Sequence, residues 1–490
     1  MHHDGRPRFH LTPPANWMND PNGLFFTEGQ LHVFYQHNPE APHWGHTHWG
    51  HAVSADLVTW QHLPLAISPD AVGPDSFGCW SGCIVDDGGI PTAFYTGVEL
   101  DSALRRASVC RATSVDGLVT WVKDPANPCI VGSPDGIAPD AFRDPFVWRD
   151  EAGWAMLLGA GTTSGLGAVL LYRSMDLRRW EYVGPFLRGD ELPRAAGTDA
   201  SCWECPQLVR FGGRDVLIIS LVDRTPGVRP SHVMALIGRA TGDRFVVDHA
   251  QQLGMGPDFY APATILAPDG RQLLLGWVPE DPPHSSSRRD WAGSMTFPRV
   301  VSITEGGDVA LALAHEVTGL RQKEARARPY LLAGNRPPWR EGSLGQRFEV
   351  QALIEVGDAF EVVVDLLNGD DEDPQLHIGF RPCDRRLSVA RRGIVTVAGR
   401  SAQSAAILPP TSSRDLRLRI LVDGSVAELE VDGQTMATAR LGTRGGQRTI
   451  AVSAVGGRAR IRRLRTWTLG FAADELSAAS DRATPSVGSP

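Results

Sequence analysis

Ser54-Ala-Asp56-Leu-Val-Thr-Trp60 returns as Ser114-Val-Asp116-Gly-Leu-Val-Thr-Trp121 and again as Ser174-Met-Asp176-Leu-Arg-Arg-Trp180, with the serines 60 residues apart each time. A weaker echo, Ala240-Thr-Gly-Asp243-Arg-Phe245, falls near the next expected position. Between the copies lie short β-branched and aromatic runs such as Leu31-His-Val-Phe-Tyr35, Trp154-Ala-Met-Leu-Leu158 and Val216-Leu-Ile-Ile-Ser220. Short strands and glycine-rich turns repeated at this period are the pattern of a β-propeller, in which each repeat is a sheet that cannot bury its faces alone.

Five distinctive loops fall on the same ruler. Trp17-Met-Asn19-Asp20-Pro-Asn22-Gly23 is the first, with an acid held between asparagines, a proline and a glycine just ahead of an apolar run. The others are Trp80-Ser81-Gly82, Phe142-Arg143-Asp144-Pro145, Trp203-Glu204-Cys205-Pro206 and Asp258-Phe-Tyr260-Ala-Pro262. From Asp20 through Ser81, Asp144, Glu204 and Tyr260 the steps are 61, 63, 60 and 56 residues, so all five are read as sharing one phase. Five blades are therefore expected over residues 1–313, and their equivalent positions point into one funnel. Asp20, Asp144 and Glu204 should meet there, although Asp20 in isolation reads equally well as a turn residue capping its own backbone.

Residues 314–336 have helix-like composition and no alternation, followed by Pro337 and Pro338, and read as a linker. Beyond them, Arg347 to Val356 alternates, and Leu416 to Val422, a turn at Asp423-Gly424, and Ser425 to Val431 form a hairpin. A β-sandwich over 337–470 and a polar, disordered tail over 471–490 complete an all-β reading.

Composition narrows the function classes. A net charge of -8 in 490 residues argues against a nucleic-acid partner, and no apolar run approaches a membrane span. Met-His-His-Asp-Gly at the start lacks the apolar core of a secretory signal, which gives a cytoplasmic expectation. Seven cysteines are odd in number and scattered, which fits free thiols. Cys202-Trp-Glu-Cys205 in isolation is a redox or zinc half-site, but no thioredoxin-like pattern surrounds it. His43, His46, His48 and His51 contain a His-x-His without a matching acidic set, and are read as cleft-rim or packing residues. Arg458 to Arg465, with Ile461 and Leu464 inside it, reads as a strand with a solvated face.

Three acids in one cleft repel when ionised, so at least one should hold a proton near neutrality. A carboxylic acid beside a carboxylate is what glycosidic cleavage needs, with neither metal nor cofactor expected. Asn19 and Asn22 flank Asp20 and predict donors that keep it ionised. Trp203 and Cys205 flank Glu204 and predict an apolar surround that keeps it neutral. Trp17, Trp44, Trp49, Trp80, Trp203 and Trp291 offer flat faces for sugar rings, or blade packing.

The three acid-bearing blocks resemble the signature blocks of glycoside hydrolase family 32, the invertases, fructanases and sucrose-6-phosphate hydrolases. The similarity extends through Phe34-Tyr-Gln36-His-Asn-Pro39, Trp49-Gly-His51, Trp80-Ser-Gly82, Asp258 to Pro262, Trp291 to Pro298 and Val422 to Val431, in order along nearly the whole chain. It implies a five-bladed propeller with an appended sandwich, and retaining hydrolysis of β-fructofuranosides through a covalent intermediate. Asp20 matches the nucleophile, Glu204 the acid/base, and Asp144 the residue that holds fructose hydroxyls. Asn19, Gln36, Trp44, Ser81 and Arg143 match the fructose subsite, and Tyr260 lies in another matched block. Trp80 departs from the phenylalanine common before Ser-Gly, and Cys83 from the small hydroxyl residue that often follows. Small sugars are the implied partners, with fructosyl transfer or silent sugar binding on the same fold as alternatives.

Overall fold

The computed structural model describes residues 5–101, 104–193, 196–222, 232–256, 258–280, 290–369, 374–391, 403–408, 415–442 and 446–471. Nearly all of the tail expected to be disordered, 472–490, lies outside them. The chain is almost entirely β, and each repeat of the first 313 residues is one antiparallel sheet of four consecutive strands. The leading strands are β1 (Asn16–Thr27), β2 (Gly78–Asp87), β3 (Ile137–Asp150), β4 (Cys202–Phe211) and β5 (Tyr260–Leu266). Each touches the next, and β5 touches β1.

The apolar runs explain this stacking. In the strand Arg214–Val222, Leu217 and Ile219 face the third sheet, while Val216 and Ile218 join a cluster with Leu274 of the fifth. A strand buried on both faces needs no polar alternation, and its residues simply take opposite sides in turn. Further clusters join the first sheet to the second, the second to the third, and the fifth back to the first through Leu31 and Val33 against Leu273 and Leu275. Trp291–Ala292 adds to the first sheet and Ser294–Met295 to the fifth, so one short segment ties the two.

The 60-residue signature itself is a turn between the third and fourth strands of a sheet. Asp56 accepts hydrogen bonds from the Val58 and Thr59 amides and from Ser54, and Asp176 does the same for Arg178, Arg179 and Ser174. The following leucines, Leu57, Leu118 and Leu177, adopt positive φ of 65°, 71° and 59° and drop into the core. This backbone is unusual for a branched side chain, and burial of the leucine holds it.

The second half alternates as expected. Phe348, Val350, Ala352 and Ile354 point into a core shared by a sheet led by Arg347–Glu355 and one led by Glu361–Asn368. Ile461 and Leu464 are buried among exposed arginines, as the sequence indicated. Two readings are corrected. The helix-like segment is a 3-10 turn, His315–Leu320, followed by strands Arg321–Ala327 and Tyr330–Ala333 that pair with Arg458–Leu469, so an available sheet edge overrides local composition. Asp423 is a strand residue whose buried carboxylate accepts the amides of Arg8, Phe9 and His10, and the hairpin turns at Gly424 (φ 59°) and Ser425.

Candidate active site

All five leading strands are bulged at the same place. Opposite Gln36 stand two residues, Asn19 and Asp20; opposite Thr96 stand Trp80 and Ser81; opposite Leu158 stand Asp144 and Pro145. Cys205 with Pro206 and Ala261 with Pro262 complete the series. A bulge bends its strand and re-aims a side chain. Asp144, Cys205 and Ala261 hold positive φ of 62°, 47° and 46°, a strain that collects at this one level.

The single phase expected for the five loop residues resolves into two. Counting back from the proline or glycine after each, Asp20, Ser81, Asp144, Cys205 and Ala261 form one ring, while Asn19, Trp80, Arg143, Glu204 and Tyr260, one residue earlier, form another. Hydrogen bonding respects the division. In the first ring Ser81 Oγ donates to Asp20 Oδ2 at 2.8 Å, and the Cys205 thiol lies 3.7 Å from Asp20 Oδ2 and 3.6 Å from Asp144 Oδ2. In the second, Arg143 Nη1 donates to Glu204 Oε1 at 3.2 Å and Tyr260 donates to Oε2 at 2.9 Å.

Asp20, 8% exposed, also accepts from Gln36 Nε2 at 3.1 Å and Asn19 Nδ2 at 3.2 Å, while Trp17 steadies Asn19. Asn22 does not reach it, because that amide serves Pro21 and the Gln36 backbone. Asp144 accepts the Cys205 amide at 3.0 Å, and its own amide donates to Thr96 Oγ1. Glu204 lines a cleft of about 1170 Å3 with Trp80, Arg105, Asp140 and Arg143. Its sequence neighbours do not surround it: Trp203 is fully buried on the far side of the sheet, and Cys205 turns to the other two acids.

Burial pushes all three carboxyls above the ordinary range. For Asp20 the donors Ser81 and Asn19 oppose burial, so its neighbours moderate the rise without reversing it, contrary to the expectation of an acid held ionised. Asp144 is pushed up to about 7 by burial and then by Glu204, against the pull of Arg143. Glu204 is raised by burial, with Arg143 opposing and Asp20 adding to the rise. The cluster binds protons as a unit.

Trp49, Trp203 and Trp291 are buried packing residues; Trp80 faces the cleft, and Trp44, 37% exposed, packs edge-on against it. The seven cysteines are free, and His51 pairs with His32 at 2.9 Å. Sequence reasoning passed over Thr96 and the role of Cys205. The signals were present, since Phe94-Tyr-Thr96 repeats Phe34-Tyr-Gln36 at a 60-residue offset and Cys205 precedes a proline as Asp20 and Asp144 do.

Residues 10–312 match the glycosyl hydrolases family 32 N-terminal domain and residues 316–468 the family 32 C-terminal domain. The chain belongs to glycoside hydrolase family 32. It is similar to the sucrose-6-phosphate hydrolase of Zymomonas mobilis, 34% identical over 464 residues covering 89% of this chain and 86% of that one. The raffinose invertase of Escherichia coli is 37% identical over 349 residues, 67% of this chain and 68% of the relative. In structure it resembles fructan 1-exohydrolase IIa from Cichorium intybus, with a TM-score of 0.82, 26% identity and coverage of 95% and 98%. As a family 32 glycoside hydrolase, the chain has a cleft whose acids are to be read as groups that cut a glycosidic bond.

Proposed function

We propose that this chain hydrolyses terminal β-D-fructofuranosides such as sucrose, with retention and through a covalent fructosyl-enzyme intermediate. Asp20 attacks the anomeric carbon, Glu204 gives its proton to the leaving oxygen and then takes one from water, and Asp144 accepts fructose hydroxyls as charge develops on the ring. The observation that carries this reading is the division of partners. Asp20 sits among small donors suited to a fixed attacking anion, whereas Glu204 lies in the open cleft, where Arg143 and Tyr260 aim its carboxyl. Asn19, Gln36, Ser81 and Arg143 complete a fructose subsite, with Trp80 and Trp44 on its rim.

The fold assigned to this function is a five-bladed propeller over residues 1–313 joined through 314–336 to a β-sandwich over 337–470, with the funnel as the active site. The cycle of core clusters and of touching leading strands supports it. Among the described residues no helix is long and apolar enough to cross a membrane; a cytoplasmic address suits small imported sugars. Incubation with sucrose should release fructose, and NMR of the fresh product should find β-fructose before mutarotation. Initial α-fructose would refute retention, and no fructose from any fructoside would refute the activity.

A further inference from the structure

The cleft beside Glu204 runs past Trp80 to Arg105. The Arg105 guanidinium carbon lies 4.9 Å from the Trp44 ring centre, 5.1 Å from that of Phe77 and 5.8 Å from that of Trp80. The Trp80 ring also carries Arg143 at 4.9 Å, and Arg143 holds Glu204. One indole therefore bridges the residue that protonates the leaving oxygen and a cation further along the same cleft. Aromatic contacts hold a guanidinium without consuming its N–H donors, and a carboxylate or phosphate can take two of them at once. Among the described residues no carboxylate ion-pairs with Arg105; burial and Arg143 both press against its charge, and Asp140 relieves this only in part.

Substrate geometry decides what meets this cation. With fructose in the subsite of Asp20 and Asp144, the oxygen that Glu204 protonates joins it to the leaving sugar, which must extend away from the first ring into the cleft. Resting on the fructosidase reading above, we propose that Arg105 is a specificity-determining residue that receives a phosphate on the leaving sugar, so that phosphorylated sucrose is preferred to sucrose itself. A neutral hydroxyl exchanges one hydrogen bond for water's, whereas a phosphate makes charge-assisted, bidentate bonds. Ser108 and Ser133 line the same cleft with small hydroxyls.

The test compares fructose release from sucrose and from sucrose 6-phosphate by the full chain and by Arg105→Gln. The wild type should favour the phosphate ester in kcat/KM by about 10- to 100-fold. Arg105→Gln should lower that ratio at least tenfold, chiefly through KM. Inorganic phosphate should compete with substrate in the wild type and much less in the variant. Equal use of both substrates by the wild type, or an equal loss on both in the variant, would overturn the inference. Calorimetry on Asp20→Asn reads the contact without turnover: binding of sucrose 6-phosphate should be tighter than that of sucrose, and equal affinities would overturn the proposal. Absence of fructose from both substrates alongside preferential binding would sink the fructosidase reading alone.

Discussion

Tyr260 puts its hydroxyl 2.9 Å from Glu204 Oε2, a bond that favours the ionised carboxylate and so works against the upward push of burial. Tyr260→Phe removes that donor. The acid then holds its proton to higher pH, and the basic limb of kcat/KM against pH should move upward while kcat falls about tenfold, the scale of a positioned proton donor disturbed in place. A limb that moves down would contradict this role. Asp20 makes the opposite experiment possible, since its folded pKa is raised and its charge therefore costs stability once pH exceeds the unfolded value near 4. Asp20→Asn should lower kcat by about a thousandfold or more. Its thermal midpoint should match the wild type near pH 4 and equal or exceed it at pH 8; a variant less stable at pH 8 would mean that the carboxylate is structural. The three acids were legible in the sequence because proline and glycine mark their loops. Their protonation was not, because the groups that set it, Ser81, Cys205, Arg143 and Tyr260, come from other sheets.

At the scale of elements, what places these residues is the bulge in each leading strand and the packing behind it. Trp203, immediately before Glu204, fills the space above Gly167 on a neighbouring sheet, where any Cβ would press on the indole. Gly167→Ala should therefore cost about 1–3 kcal/mol, as overpacking does, and lower kcat/KM by displacing Glu204 with the strand. Thermal melts and fructose-release kinetics on one preparation would check the pair; a loss of stability without a loss of activity would show that Trp203 does not set the carboxylate's position. The repeat predicted five sheets correctly because its signature is a self-contained turn whose hydrogen bonds are local. It missed the two-ring offset, since Glu204-Cys205-Pro206 and Arg143-Asp144-Pro145 differ by which residue carries the acid, and the ruler followed acids instead of prolines. Residues Arg321–Ala327 were misread for the converse reason: their strand exists only because Arg458–Leu469 presents an edge nearly 140 residues later.

Across the whole molecule, the two halves are joined by buried charge as well as by apolar packing. Phe9 shares a cluster with Leu421 and Met436, and beside it His10, fully buried, places Nδ1 2.9 Å from Asp423 and Nε2 3.3 Å from Glu428. Glu428 also binds Arg299 at 2.9 Å and accepts the Phe297 amide. Arg347 approaches Asp423 at 3.4 Å. Burial opposes the imidazolium, but the two carboxylates outweigh it and raise its pKa, while their own are lowered. The signs define a window. The histidine contributes fully below its unfolded pKa near 6.5 and is lost as pH rises through its higher folded value; the carboxylates contribute above about pH 4 and are lost as pH falls below it. The seam is thus strongest between about pH 4 and 6.5. His10→Gln leaves two buried carboxylates short of a cation and should cost about 3–5 kcal/mol at pH 6. The difference in unfolding midpoint between wild type and variant should hold steady up to about pH 6.5 and narrow above it, as the wild-type imidazolium loses its proton. A difference that stays constant to pH 9 would show that His10 acts as a neutral packing residue, and that the halves are held by Arg299, Arg347 and the apolar cluster alone.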